Sequence, residues 1–122
     1  MCNMLISINP EHVENIFNGS KRYEYRKIKC RQDIDKIIIY STAPIMKVVG
    51  EAKVEKILVD SPDMIWEETK KYSGIDLEFY HKYFKDRTKA VAYKLTDIKK
   101  YNKPKELSSY GIKTAPQSFI YV

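Results

Sequence analysis

Cysteine is almost missing from this chain: Cys2 and Cys30 are the only two in 122 residues, too few for the disulfide framework that small secreted domains rely on. Together with His12 and His81 they form no ligand spacing of the finger or ribbon kind, so neither a structural metal nor a cofactor is expected. Four glycines and five prolines exclude collagenous and low-complexity classes. No apolar run approaches the roughly 20 residues of a membrane-spanning helix. The stretch from Met1 to Ile8 is apolar but short, has no basic start and leads straight into Asn9-Pro10. Neither a signal peptide nor a membrane partner is therefore expected, and the expected address is the cytoplasm. What remains is a globular balance, 43% hydrophobic and 31% charged. At this length it supports one core and one domain over residues 1–122.

The net charge of +6 is unevenly spread. Residues 19–36 carry seven Lys or Arg against three acids, and residues 81–105 carry nine against two. Residues 60–80 reverse the balance, with two against six. Basic segments of this kind attract phosphate backbones. Lys-rich faces also serve ordinary solubility, and charge alone leaves both readings open.

Hydrophobic periodicity divides the chain into alternating elements. Met4 to Ile8 has strand length, and Asn9-Pro10 then offers an N-cap with proline at the first helical position. Val13, Ile16 and Phe17 fall on one face of the short helix that follows, which Asn18-Gly19 ends. From Arg22 to Ile28 the period becomes two, with Tyr23 and Tyr25 opposite Arg22, Glu24 and Arg26. Ile37 to Tyr40 is a continuous β-branched run, the signature of a strand covered on both faces. Val48 to Leu58 alternates, with Gly50 marking a bend. Ser61-Pro62-Asp63 opens a helix that Gly74 closes, and Asp76 caps a second one carrying Leu77, Tyr80 and Phe84. Ala90 to Leu95 and Phe119 to Val122 read as strands, joined through a Lys-rich exit from Ile98 to Lys105. The result is an α+β fold, a mixed β-barrel with a short helix after the first strand and a helical pair inserted before the last strands.

The sharpest local pattern is Gly19-Ser20-Lys21-Arg22-Tyr23-Glu24-Tyr25-Arg26, where the first helix gives way to a strand. It resembles the G-x-K-x-x-E-x-R motif of the ASCH family at every fixed position. Ile39 to Pro44 followed by Val48 to Glu51 is similar to that family's second strand pair. Pro116-Gln117-Ser118-Phe119 is similar to the closing segment of its small stand-alone members. The resemblance implies a PUA-like barrel with the motif residues at the mouth of a cleft, and RNA or a nucleotide as partner. Its members bind RNA, act in transcription coactivation or hydrolyse nucleosides or RNA.

Each residue also needs its own argument, because function does not follow from fold. Glu24 and Arg26 lie two apart on a strand and share a face. Lys21 joins them only if it belongs to the turn, since strict alternation would put it on the other side. In the bland reading Glu24 and Arg26 form an edge ion pair and Lys21 is solvated. In the functional reading Arg26 grips a phosphate or carbonyl oxygen, Glu24 accepts from a base amino group, and Lys21 is a phosphate contact or catalytic amine. Tyr25, Tyr40, Ser41, Gln117 and Ser118 complete the expected ligand contacts. Tyr25, Tyr40 and Tyr93 are the stacking candidates among ten tyrosines, while Tyr80 and Tyr83 read as core. The basic segments around Lys29 and Lys99 would guide a backbone. Lys29 and Arg31 beside Cys30 favour a thiolate, yet no paired histidine makes it a nucleophile.

Three readings stay open. The first is an RNA-binding module holding a nucleotide or single-stranded RNA at the barrel mouth. The second is a small hydrolase acting on RNA or modified nucleosides, in which Lys21 and Glu24 would be the catalytic residues and Glu67 or Glu68 a second acid. A family branch similar to an amidohydrolase of acetylated cytidine uses a threonine where this chain has Glu24, so that nucleophile is missing. The third is a protein-interaction module in transcription regulation with an apolar patch around Trp66.

Overall fold

The structure is a computed structural model that describes residues 2–30 and 33–122; Arg31, invoked above beside Cys30, lies outside the described residues. Its centre is β3 (Ile34–Ser41), and the β-branched run is covered on both faces as its pattern requires. Ile37 and Ile39 enter a cluster with Met4, Ile6, Val91 and Tyr93. Ile38 and Tyr40 point the other way, onto Leu5 and Val48, and are covered by Leu107, Tyr110 and Ile112. A short 3-10 turn over Leu107–Tyr110, which the sequence pattern did not announce, supplies that cover.

Around β3 the sheet grows in both directions. β1 (Cys2–Ile8) pairs with it in parallel, β4 (Lys47–Asp60) antiparallel, and the full order is β2-β5-β4-β3-β1-β6. β2 (Tyr23–Arg26) and β6 (Phe119–Tyr121) are the two outermost strands. β2 is shorter than the alternation from Arg22 to Ile28 suggests, because it pairs only along residues 91–94 of β5 and Ile28 is exposed. β5 (Ala90–Lys105) is longer: the Lys-rich exit continues as strand because β4 pairs with it along that length. Three register shifts between β4 and β5 let this ribbon twist and bend. One lies between Val48 and Gly50. A Cβ at Gly50 would stand 2.5 Å from the Lys99 carbonyl oxygen and 2.7 Å from the Phe17 ring, so this glycine admits the helix to the sheet.

Helix α1 (Pro10–Phe17) follows β1. Asn9 holds the N-cap position without a side-chain capping bond; its Oδ1 accepts instead from the Thr42 hydroxyl at 3.2 Å. Helix α2 (Pro62–Thr69) is capped by Ser61 and passes into a 3-10 turn over Lys70–Tyr72, four residues short of the expected continuous helix at Thr69. Helix α3 (Leu77–Tyr83) is capped by Asp76. The pair packs Ile65, Tyr80 and Phe84 on Tyr25, Ala90 and Ala92, and Trp66, half-buried, lies 4.7 Å from the Tyr80 ring. Among the described residues no helix is long and apolar enough to cross a membrane.

Gly50→Ala should lower stability by about 1–3 kcal/mol, the usual cost of forcing an extra group into a packed site. The denaturant midpoint measures this. An unchanged midpoint would show that Phe17 does not depend on the missing side chain.

Candidate functional site

The motif is built by a turn. Gly19, at φ +89°, reverses the chain after α1, and the Lys21 amide donates back to the Asn15 carbonyl at 3.0 Å. Lys21 bridges Ser73 outside the regular strands, so it escapes the alternation that would have turned it away from Glu24. Gly74 closes over it. With φ +68° and no side chain, Gly74 abuts the Lys21 Cβ so closely that any added carbon would overlap it.

Lys21 is 2% exposed. Its Nζ donates to the Ser73 carbonyl at 3.1 Å, lies 3.8 Å from Glu24 Oε1 and sits 4.8 Å from the Tyr25 ring centroid. Burial pushes its pKa below the usual lysine value; Glu24 opposes the shift and the Arg26 charge adds to it. On the other side of Glu24, Arg26 Nη2 donates to Oε2 at 2.7 Å. The same nitrogen reaches the Ser7 carbonyl at 3.0 Å, and Nη1 reaches Ser118 Oγ at 3.3 Å. Ser7 lies on β1 and Ser118 just before β6, so one arginine on the outermost strand β2 spans to the opposite side of the sheet. These bonds require the sheet to curl back on itself. The Arg26 Nε is buried without a partner.

A cavity of about 250 Å³ opens at this seam. Lys21, Glu24, Tyr25, Arg26 and Gln117 all line it, whereas Ser118 does not and only accepts a hydrogen bond from Arg26. Its walls also include Ser7, His12, Thr42, Phe79 and Tyr83, which periodicity could not nominate because they come from four separate places in the chain: β1, α1, the turn after β3, and α3. The His12 and Phe79 rings meet edge to face at 5.4 Å. Lys27 stands 4.8 Å over the ring of the lining residue Tyr83. His12 Nδ1 is buried and unpartnered. Burial, then the Lys21 charge, lowers the His12 pKa; Glu24 and Glu11 pull it upward and Arg26 downward. Among the described residues no three His, Cys, Asp or Glu side chains gather where a metal ion could sit.

The stacking tyrosines are corrected. Tyr40 is buried on the opposite face of β3, and Tyr93 is buried with its hydroxyl accepting from the Cys30 amide at 3.1 Å. Tyr25 borders the cavity but is 5% exposed, its hydroxyl locked 2.7 Å from Thr69 Oγ1 and its pKa pushed up to about 12 by burial. None offers a free face to a base. Ser41 lines a neighbouring groove rather than this cavity. Glu67 is exposed and paired with Lys70 at 2.8 Å, and neither it nor Glu68, Lys29 or Lys99 lines the cavity.

Residues 4–116 match the family described as a domain of unknown function, DUF365. The fold superposes on the crystal structure of ASCH from Zymomonas mobilis with a TM-score of 0.89 at 26% identity, over 98% of this chain and 87% of that one. The chain belongs to the DUF365 family and is an ASCH domain. An ASCH domain-containing ribonuclease of Zymomonas mobilis is 31% identical over 94 residues, 76% of this chain and 64% of that protein. ATP synthase subunit alpha of Ureaplasma parvum is 32% identical over 120 residues, and large ribosomal subunit protein uL22 of the same species is 29% identical. This ASCH chain spans only 15% and 39% of the lengths of those two proteins.

Two predictions test the electrostatics of this ASCH site. Glu24→Gln removes the one carboxylate between two desolvated cations and should cost about 3–5 kcal/mol of stability, as breaking a buried pair does. A loss of unfolding free energy below about 1 kcal/mol in denaturant titration would mean that solvent already screens the cluster. His12 has its folded pKa below the unfolded value of 6.5, so the unfolded chain binds the proton first and stability falls as pH drops below about 6.5. Thermal melts from pH 7.5 to 5 should show this component, and His12→Asn should remove it.

Proposed function

We propose that this ASCH domain binds single-stranded RNA and holds one nucleotide in the cavity at the sheet seam. One observation carries the reading: a buried lysine and an arginine face the same small cavity with a single carboxylate between them. That leaves an excess positive charge in a concave, desolvated place, which suits a phosphate group. At about 250 Å³ the cavity is slightly smaller than the usual small-ligand range of about 300–1,000 Å³, room for no more than one nucleotide and not for a duplex. Phe79 and Tyr83 give the base an aromatic wall in place of the three tyrosines corrected above. Affinity for short RNAs should then fall with salt at a log-log slope of roughly −2 to −4, from about three to five phosphate contacts. Lys21→Met keeps the side chain's length and removes its charge, and should weaken binding about tenfold or more. Titration at several salt concentrations decides: affinity indifferent to salt and to Lys21→Met removes this reading.

RNA cleavage is the second reading, favoured by the lowered pKa of Lys21 beside Glu24 and by the likeness to a protein named a ribonuclease. Here Glu24 would take the proton of the 2′-hydroxyl as it attacks the adjacent phosphorus, the bond to the 5′-oxygen would break and the proton would pass on to that leaving oxygen, while Lys21 and Arg26 stabilise charge developing on the phosphate oxygens. Under this reading Lys21→Met cuts turnover about a hundredfold or more and changes binding far less. Loss of binding and turnover in proportion would favour the first reading.

A further inference from the structure

Helix α1 is a wall between two concavities. His12 faces the seam cavity, whereas Pro10, Val13 and Phe17, three and four residues apart, face a groove of about 510 Å³ on the other side, closed by Ile45, Val49 and Lys100. The two meet where the Thr42 hydroxyl donates to Asn9, for Asn9 and Thr42 line the first and their neighbours Pro10 and Ser41 line the second. Ile45 is 46% exposed, an apolar side chain that leaves much of its surface open to the groove. The Lys100 ammonium lies 5.7 Å from the Phe17 ring centroid. Glu14 also lines the groove, so its charge is not uniformly positive.

Resting on the reading of the seam cavity as a nucleotide site, we propose that this groove is a second nucleotide subsite. It takes the base of the adjoining residue of a single strand against Phe17 and Ile45, with the phosphate of that residue at Lys100. Three features fit this occupant. A ring with a cation over it is the pairing that holds a base and its backbone together. The two concavities adjoin on either side of the Asn9–Thr42 contact, with Asn9 and Thr42 lining one and their chain neighbours Pro10 and Ser41 the other, so neighbouring residues of one strand can reach both. Lys100, which lines the groove, belongs to the Lys-rich half of β5, where Lys99, Lys100 and Lys103 are exposed and give the surroundings the charge that attracts a phosphate chain.

The test compares a nucleoside 5′-monophosphate with a tetranucleotide RNA by calorimetric titration at low salt. The wild type should bind the tetranucleotide about tenfold or more tightly than the monophosphate. Phe17→Leu retains apolar packing against Gly50, and Lys100→Gln alters only an exposed charge. Each should remove about five- to tenfold of the tetranucleotide affinity, the range expected when one stacking or phosphate contact is lost, with the monophosphate unchanged. The methyl signals of Ile45 and Val49 should move in NMR spectra with the tetranucleotide and stay fixed with the monophosphate. Equal affinity for both ligands, a length advantage that survives both substitutions, or unmoved methyls would overturn the second subsite alone. Failure of both ligands to bind would overturn the nucleotide reading of the seam cavity, and this inference with it. If Phe17→Leu fails to fold, Lys100→Gln and the methyl signals still decide.

Discussion

Arg26 holds together two parts of the sheet that no backbone ladder joins. It stands on β2, at one end of the strand order, and its guanidinium donates to Ser7 on β1 and to Ser118 ahead of β6, at the other. A guanidinium suits the task because its donors lie in a fixed plane and stay charged at any ordinary pH. Burying it requires a counter-charge, and Glu24, two residues earlier on the same strand face, supplies one at 2.7 Å. Glu24 in turn makes it tolerable for Lys21 to sit almost without solvent. The three motif residues are therefore a chain of dependencies: curled sheet, arginine, carboxylate, lysine.

The cavity follows from that arrangement. An ordinary backbone ladder at the seam would fill the space with paired amides and carbonyls. A side-chain clasp leaves a gap beside it, and the gap inherits the charge of the groups that make the clasp. This is why stability and ligand binding are tied to the same few atoms here, in contrast to sites carried on loops that can vary without disturbing a core. Desolvation raises the strength of every electrostatic contact in the gap, and it also leaves Arg26 Nε and His12 Nδ1 without partners.

Much of this was legible in the sequence, and the boundary of legibility has a physical form. Local rules succeed where local forces decide. The β-branched run 37–40, the Ser61 and Asp76 caps and the Gly19 stop all appear where the pattern places them. The motif spacing also carried the essential condition on Lys21, that it must lie in the turn to meet Glu24. What failed depends on partners far away in sequence. Tyr25, Tyr40 and Tyr93 lie on strands and invite a stacking role, but whether a strand tyrosine meets solvent depends on what packs over it. Here the helical pair, the turn at 107–110 and the main core cover them. His12, Phe79 and Tyr83 were passed over for the converse reason. Each looks ordinary on its own short helix, and only the curl of the sheet turns α1 and α3 toward one opening.

The glycines show how the same constraint extends beyond the charged residues. Gly74 reads in sequence as a helix stop, yet the helix has already ended at Thr69 and passed into a 3-10 turn. Its positive φ and missing side chain instead let the segment after that turn lie directly on Lys21. Gly50 does the same for Phe17 on the far side of α1. One glycine thus seals the lysine from water, and the other seats the ring whose remaining surface faces the neighbouring groove. Both are positions where an added methyl group would act on the concavities through packing alone, without touching a charge. The geometry of the ligand-facing surface is set as much by these two absences as by the polar side chains that the motif advertises.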